Sequence, residues 1–366
     1  MADEFRIEEV IRPEVLGLTA YAVDRARYPV KLDANESPFV PSPALEAAIG
    51  EALRGLPIHR YPDPEAQDLR EVLGRRLGVP ARQLILGNGS DELIQMILMG
   101  VGGPGAAVMA PVPTFSMYEL GTRGLGLRFA GVPLHHRFAI DAAAWRAALE
   151  RERPRAVFIA SPNNPTGNCM DEAVIRDTLD RCRGLVVVDE AYFDYCGRTF
   201  LGELPRRPNL VILRTLSKIG LAGLRLGILA GSPAVVHELN KVRLPYNINM
   251  LSQAVARVAL EHEAEIRAHV RAILRERDAM QRALLAFPET EVFPSDANFL
   301  LIRTPFPAEL VQEGLARLGV SVRRFGGDPA LARCLRVTMG LPEENARFLD
   351  ALKRALDDAR AMGGRP

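Results

Sequence analysis

The chain has 366 residues and a net charge of +1, from 46 lysines and arginines against 45 aspartates and glutamates. Its length predicts two or three domains with ample cores, and its balanced charge argues against a general affinity for nucleic acid or anionic membranes. No run approaches the roughly 18 consecutive apolar residues of a membrane span, and the four cysteines show no metal-ligand spacing. We expect a cytoplasmic protein without a metal, whose anionic ligands are held by local arginines.

Short apolar runs alternate with helical patterns through most of the chain. Several of these runs are β-branched and continuously apolar, as expected for strands that helices cover on both faces. They lie at residues 84–86, 106–110, 157–160, 185–188, 210–213 and 226–230, and helical patterns such as residues 91–101 and 171–182 separate them. This alternation predicts an α/β domain with a mostly parallel sheet.

The pattern changes after about residue 251. Residues 252–285 read as one long helix or a kinked pair, rich in alanine and arginine. Strand-like and helical segments then alternate at residues 299–303, 308–318, 320–324 and 335–339, before a last helix from Pro342. We therefore predict a large domain at residues 31–251, with a mixed, mostly parallel central sheet flanked by helices. Residues 1–30 and 252–366 are expected to form a smaller α+β domain.

Lys218 follows the apolar run at residues 210–213, within the segment LVILRTLSKIGLAGLRLG. A lysine just past a buried strand is partly desolvated, which lowers its pKa and exposes a nucleophilic amine. Thr215 and Ser217 precede it and Arg225 follows seven residues later, and such side chains can hold a phosphate. Taken alone, the combination is more typical of a surface loop, so its meaning depends on the other segments.

Asp189 ends the run LVVVD, at the point where a strand becomes a loop. In an open α/β sheet, ligands bind at the carboxyl ends of the strands. An aspartate at this position could also cap a helix, or bind Mg²⁺ in a nucleotide-binding protein. The last alternative requires a glycine-rich Walker loop, which the chain lacks.

Two turns are candidates for ligand contacts. The segment SPNNPTG at residues 161–167 follows a predicted strand, and its Asn164 could donate a hydrogen bond into the same strand-end cleft. The segment GNGSDE at residues 87–92 lies between a strand and a helix, where Ser90 is a good N-cap. Free N–H groups at a helix start attract phosphate, whereas the carboxylates of Asp91 and Glu92 would repel it. We therefore expect the backbone to make that contact.

Taken together, these segments resemble the fold-type I aminotransferases that depend on pyridoxal 5′-phosphate. In chain order, GNGSDE is followed by Phe115, SPNNPTG, the run that ends at Asp189 and the segment that contains Lys218. The resemblance rests on this order and spacing, and it covers nearly the whole chain. It implies that Lys218 carries the cofactor as a Schiff base and moves protons, while Asp189 pairs with the pyridine nitrogen. Tyr192 and Asn164 would bond the phenolate oxygen of the ring, and Phe115 would stack on its face.

The same resemblance implies a binding site for the cofactor phosphate. The backbone at Gly89, Ser90 and Asp91 would contribute N–H groups, and the side chains involved would be Ser90, Thr215, Ser217 and Arg225. Tyr61, in HRYPDP, resembles a tyrosine that reaches the cofactor phosphate of the neighbouring subunit. The chain is therefore expected to form a homodimer.

Finer features resemble the histidinol-phosphate aminotransferase family, namely LDANESP, RYPDP, GNGSDELI, VSVRRFG and CLRVTMG. The likeness implies that Tyr21, Arg323 and Arg336 grip the substrate phosphate and that Asn35 lies near the substrate. Arg324 places a second positive charge next to Arg323, so either arginine could face the phosphate. The implied substrates are L-histidinol phosphate and 2-oxoglutarate or glutamate, in histidine biosynthesis.

Three other functions stay open at this point. Two are enzymes of similar motifs, an aromatic or broad-specificity aminotransferase and a decarboxylase of threonine phosphate. The third is a non-catalytic protein that binds pyridoxal phosphate. The complete set of lysine, aspartate, tyrosine and asparagine argues against the third.

Overall fold

The computed structural model describes residues 5–19, 26–103, 105–287 and 289–361. Within these ranges the strands are β1 (Val30–Leu32), β2 (Leu84–Asn88), β3 (Ala107–Val112), β4 (Arg128–Pro133), β5 (Ala156–Ala160), β6 (Leu185–Asp189), β7 (Leu210–Thr215), β8 (Leu226–Gly231), β9 (Glu291–Val292), β10 (Phe299–Arg303), β11 (Val320–Arg324) and β12 (Cys334–Thr338).

The α-helices of the same ranges are α1 (Ile7–Val10), α2 (Pro13–Leu16), α3 (Pro43–Leu53), α4 (Gln67–Leu77), α5 (Ser90–Val101), α6 (Met117–Gly124), α7 (Ala142–Glu152), α8 (Glu172–Arg181), α9 (Phe193–Cys196), α10 (Pro233–Asn240), α11 (Met250–Glu261), α12 (Glu263–Leu284), α13 (Ala308–Arg317) and α14 (Pro342–Ala361). Among these helices, none is both long and apolar enough to cross a membrane.

The first sheet has the strand order β2-β8-β7-β6-β5-β3-β4. Strands β3 to β7 pair in parallel, and β8 runs antiparallel to both of its neighbours. Every residue of β5, β7 and β8 is buried, because helices cover the sheet on both faces and leave no position for a polar, solvent-facing side. The predicted mixed, mostly parallel sheet is confirmed.

The topology brings several strand ends to one edge of this sheet. Ala160 pairs with Asp189, and Asp189 pairs with Leu213. Thr215 pairs with Gly227, which also pairs with Gly87 just before the start of α5. Segments far apart in sequence therefore meet at the carboxyl ends of β2, β5, β6 and β7, where open α/β sheets bind their ligands.

The second sheet has the order β1-β11-β12-β10-β9. Strand β1 is parallel to β11, and the remaining pairs are antiparallel. Helices α13 and α14 pack together and against β11. The helical pattern at residues 252–285 is a kinked pair, since α11 ends at Glu261 and α12 begins at Glu263.

The N-terminal segment contacts elements of both sheets. Residues 1–30 were assigned to the smaller domain, but α2 packs against α6, a helix that covers the first sheet. Arg12 Nη2 also donates a 2.5 Å hydrogen bond to the carbonyl of Gly124, the last residue of α6. Strand β1 belongs to the second sheet, so the expected boundary at residue 31 cuts through a strand. The division into two domains stays a prediction.

Candidate active site

A cavity of about 230 Å³ lies at the edge of the first sheet where β5, β6 and β7 end, and the second sheet also contributes to its lining. The side chains around it come from segments distributed along most of the chain. Many of them are residues that the sequence singled out, namely Asn35, Ser90, Asp91, Phe115, Asn164, Asp189, Tyr192, Thr215, Ser217, Lys218, Arg225, Arg323 and Arg336.

Lys218 follows β7 in a short 3-10 turn, Ser217–Ile219, and its side chain lines the cavity. The hydroxyl of Tyr195 donates a 2.6 Å hydrogen bond to the Lys218 carbonyl, which holds the turn in place. Desolvation of the ammonium, together with the nearby positive charge of Arg336, lowers the pKa of Lys218 to about 8. A fraction of the side chain is therefore neutral amine near pH 7, as a nucleophile or base requires.

Asp189 ends β6 and is almost completely buried. Its Oδ2 accepts a 2.6 Å hydrogen bond from the hydroxyl of Tyr118, and its Oδ1 accepts one of 3.0 Å from the backbone N–H of Ala191. Burial raises the pKa of Asp189 to about 6, although both hydrogen bonds oppose that rise. At pH 7 the carboxyl is therefore mostly ionised, and it can neutralise a cation in the cavity.

Tyr118 was not singled out from the sequence. Its ring stacks on Phe158, with centroids 4.7 Å apart, and meets the edge of Phe115 at 5.7 Å. The available signal was that a tyrosine buried in a helix usually finds a partner for its hydroxyl. That partner lies 71 residues away, so no local pattern identifies it.

Asn35, which the sequence predicts near the substrate, lines the cavity and also contacts Tyr192. It is buried, and its side-chain Nδ2 donates a 2.7 Å hydrogen bond to the phenolic oxygen of Tyr192. Its Oδ1 accepts a 3.1 Å hydrogen bond from the hydroxyl of Thr338, which fixes which end of the amide faces Tyr192. Asn35 has a φ of 55°, a left-handed conformation that asparagine tolerates better than most residues.

Asn164 and Arg336 also contact each other across the cavity. Arg336 Nη1 donates a 2.6 Å hydrogen bond to Asn164 Oδ1, and Nη2 donates another of 2.6 Å to the backbone carbonyl of Asp33. The loop after β5 is thereby joined to β12 of the second sheet. Lys31 and Asp33, which the sequence did not single out, line the cavity beside them.

The start of α5 forms a cradle at the other end of the cavity. Ser90 is its first helical residue, after Gly89 at a φ of 84°, and the first N–H groups of a helix have no partner within it. The hydroxyl of Thr215 donates a 2.9 Å hydrogen bond to Ser217 Oγ, and both residues line the cavity. Arg225 also lines this end of the cavity.

The surroundings of Gly227 and Arg225 show how closely this cradle is packed. A Cβ added to Gly227 would lie 2.5 Å from the backbone nitrogen of Ser90, so β8 can approach α5 only at a glycine. Arg225 Nη2 pairs with Asp91 Oδ2 at 3.0 Å, which turns the carboxylate of Asp91 toward a cation. The helix start, two hydroxyls and a guanidinium are the donors that a phosphate group needs.

Arg323 and Arg324 point to opposite sides of β11, as neighbours on a strand must. Arg323 lines the cavity, and its Cα lies opposite that of Arg336 on β12. Arg324 pairs with Glu309 of α13 at 3.0 Å and does not line the cavity. The geometry therefore separates the two arginines that the sequence left as alternatives.

The structure gives no cavity contact for two of the predicted substrate and subunit contacts. Tyr21 lies outside the residues that the structure describes. Tyr61 does not line the cavity; its side chain is 78% exposed and its ring stacks on Tyr246 at a centroid distance of 4.5 Å. Its expected contact with a neighbouring subunit stays a prediction.

Similarity to known proteins extends over nearly the whole chain. The family model described as aminotransferase class I and II matches residues 28–352. Histidinol-phosphate aminotransferase 2 of Nitrosococcus oceani is 47% identical over 95% of this chain and 98% of its own length. The histidinol-phosphate aminotransferase of Methylibium petroleiphilum is 45% identical, and 96% of each chain is covered.

Solved structures show the same similarity. The crystal structure of histidinol-phosphate aminotransferase from Sinorhizobium meliloti, in complex with pyridoxal 5′-phosphate, superimposes with a TM-score of 0.85. The two sequences are 27% identical, and 95% of this chain and 98% of that chain are covered. L-threonine-O-3-phosphate decarboxylase from Porphyromonas gingivalis has a TM-score of 0.78 at 22% identity, which shows a shared fold.

Proposed function

Because this chain belongs to the class I and II aminotransferase family, over residues 28–352, we propose that it transfers an amino group between L-histidinol phosphate and 2-oxoglutarate. Curated histidinol-phosphate aminotransferases are 40–47% identical to it over nearly its full length. The observation that carries the proposal is that Lys218, Asp189, Arg323 and Arg336 line one cavity. The same reaction in cells would belong to histidine biosynthesis in the cytoplasm.

The residues of the cavity fit pyridoxal 5′-phosphate. A partly neutral lysine, a buried carboxylate and a phosphate cradle at the start of α5 lie around the same space as the ring of Phe115. These groups match the aldehyde, the ring nitrogen, the phosphate and the aromatic face of the cofactor. When bound, the cofactor supplies an electron sink for the negative charge that develops at the substrate Cα.

Lys218 is the group that moves protons. Its amine, with a pKa lowered to about 8, takes the proton from the substrate Cα and later returns a proton as a general acid. A pKa near the working pH suits both roles, since neither protonation state is rare. The Nζ atom lies 5.9 Å from the centre of the Tyr192 ring, so the two side chains share one end of the cavity.

Asp189 and Tyr192 set the charge around the ring. The ionised carboxylate of Asp189 favours a protonated ring nitrogen, because a neighbouring negative charge stabilises the cationic form. The phenolic oxygen of Tyr192 already accepts a hydrogen bond from Asn35. Its own proton is therefore available for the phenolate oxygen of the cofactor.

Arg323 and Arg336 are proposed to bind the substrate phosphate. A phosphate dianion favours two charge-assisted contacts with guanidinium groups, and the two arginines lie opposite each other on neighbouring strands. The distal carboxylate of glutamate or 2-oxoglutarate would take the same place. Binding at this end excludes water and aligns the substrate with Lys218.

A homodimer is also proposed, with Tyr61 reaching the active site of the neighbouring subunit. The support is that Tyr61 and Tyr246 are exposed and stack on each other, since exposed apolar groups that cluster often mark an interface. Ile58 and Leu244, which are close to these tyrosines in sequence, are exposed as well.

The function is tested by the absorbance of the purified protein with added pyridoxal 5′-phosphate. L-histidinol phosphate should convert the spectrum of the bound cofactor to that of its amine form, and 2-oxoglutarate should reverse the change. The variant Lys218→Ala serves as the control, because it should lack the starting spectrum. A response only to aromatic amino acids, or decarboxylation of threonine phosphate, would replace the proposed substrate. No binding of the cofactor would overturn the proposal as a whole.

A further inference from the structure

Tyr118 is buried with 0% of its surface exposed, and it contacts the carboxylate of Asp189 directly. It lies on α6, which the resemblance and the catalytic residues do not involve. Phe158 stacks on one face of its ring at 4.7 Å, so the hydroxyl has little freedom to leave its 2.6 Å hydrogen bond to Asp189 Oδ2. A phenol held this firmly does more than fill space in the core, because its hydrogen bond selects one orientation of the Asp189 carboxylate.

The charges around Asp189 explain why that contact is needed. Burial raises the pKa of Asp189, and the nearby carboxylates of Asp91 on α5 and Glu190 in the adjoining loop raise it further. Tyr192, another titratable group beside Asp189, has a pKa raised by its own burial and therefore stays neutral. Lys218 and Arg225 line the same cavity. Hydrogen bonds from Tyr118 and from the N–H of Ala191 favour the ionised form.

Tyr118 acts as a donor in this pair. Burial and the negative charge of Asp189 raise the pKa of the Tyr118 phenol well above its usual range, so its proton stays on the phenol oxygen. The N–H of Ala191 holds Oδ1 from the backbone, whereas Tyr118 holds Oδ2 from a different element. The carboxylate is thereby gripped at both oxygens.

We infer that Tyr118 is a positioning residue that holds the Asp189 carboxylate in the charge state and direction in which it binds the ring nitrogen of the cofactor. The inference rests on the proposed function, since it concerns the same cofactor. It adds a residue that acts through Asp189 and does not touch the reacting atoms.

The test replaces Tyr118 by phenylalanine, which keeps the ring and removes only the hydroxyl. The control is Thr122→Val, because Thr122 is also buried on α6 but bonds the carbonyl of Tyr118 and not Asp189. The probe is pyridoxamine 5′-phosphate, which forms no covalent bond with Lys218. Its dissociation constant is measured for the full-length protein between pH 5 and pH 9.

The wild type and Thr122→Val should bind the probe more weakly as the pH falls through about 6, where Asp189 becomes protonated. In Tyr118→Phe this midpoint should move up by about one to two pH units, the scale of a lost hydrogen bond to a charged group. Affinity at pH 9 should change little. A loss of affinity by the same factor at every pH would assign Tyr118 a packing role and overturn the inference.

A double variant distinguishes the loss of the hydrogen bond to Asp189 from a folding defect. In an Asp189→Asn background the carboxylate is absent, so adding Tyr118→Phe should leave the affinity and its pH profile unchanged. A further loss in the double variant would contradict the inference. If even the wild type fails to bind the probe, the proposed function fails first, and that outcome is distinct from an unchanged midpoint in Tyr118→Phe.

Discussion

The side-chain amide of Asn35 donates a 2.7 Å hydrogen bond to the phenolic oxygen of Tyr192, and this contact joins the two sheets. Asn35 follows β1 of the second sheet, and Tyr192 follows β6 of the first. Because Thr338 holds the other end of the amide, the direction of the bond is determined. Since the phenolic oxygen of Tyr192 accepts the hydrogen bond from Asn35, the hydroxyl proton of Tyr192 is left to point toward the cavity.

Replacing Asn35 by aspartate should reverse that bond. A carboxylate can only accept, so it would take the Tyr192 proton that the cofactor oxygen needs. We expect kcat to fall about 10-fold, the scale of one hydrogen bond, and the fall should vanish when Tyr192→Phe is already present. Steady-state kinetics of the single and double variants measure this. Additive losses would show that Asn35 acts elsewhere, for instance directly on the substrate.

Lys218→Ala should reduce turnover by about 10²–10⁴-fold or more, because the variant lacks the group proposed to move the Cα proton. The matched control is Lys241→Ala, which removes a surface lysine paired with Glu238 and should leave kcat unchanged. Single-turnover assays with L-histidinol phosphate measure the step itself. Turnover close to that of the wild type would exclude Lys218 as the base.

Asp189 should make the cofactor-free protein less stable at high pH. Its folded-state pKa of about 6 lies above the usual 3.8, so its contribution to stability is fully present below pH 3.8 and is lost as the pH rises through 6. Asp189→Asn should therefore raise the free energy of unfolding at pH 8 by up to about 3 kcal/mol. The gain should shrink toward pH 4. Urea unfolding at both pH values measures it, and a gain independent of pH would refute the explanation.

Arg323→Ala and Arg324→Ala form a matched pair on one strand. Arg323 lines the cavity, and Arg324 pairs with Glu309 away from it. Loss of Arg323 should weaken binding of the phosphate-bearing substrate by about 1.5–3 kcal/mol, whereas loss of Arg324, a surface pair, should change it by less than about 1 kcal/mol. Measurement of KM for both variants decides this. Equal effects would mean that the phosphate lies elsewhere.

The central strands of the fold could be predicted from the sequence because their apolar runs are continuous. Strand β4 was missed, since only one of its six residues is buried and an edge strand has a weaker pattern. Strand β1 was missed as well, because a three-residue strand leaves too short a run to recognise. Both cases reflect burial that is set by neighbours in the sheet and not by local sequence.

The residues of the cavity divide in the same way, into those that the sequence could place and those that it could not. Lys218, Asp189 and Asn164 could be placed together because each lies at the carboxyl end of a parallel strand or within a few residues after it. The bond from Tyr118 to Asp189 and the bond from Asn35 to Tyr192 span 71 and 157 residues. Contacts of that separation depend on how helices and sheets pack, which a single sequence does not specify.

The proposed cofactor contacts come mainly from the first sheet, whereas Arg323 and Arg336 come from neighbouring strands of the second. Substitutions on β11 could therefore change which substrate is accepted without touching Lys218, whereas Arg336 on β12 also lowers the pKa of Lys218. In evolutionary terms, one part of the substrate site can change separately from the chemistry, and the other part cannot. An engineer seeking a new amino donor would begin with β11 and leave β12 and the ends of β6 and β7 unchanged.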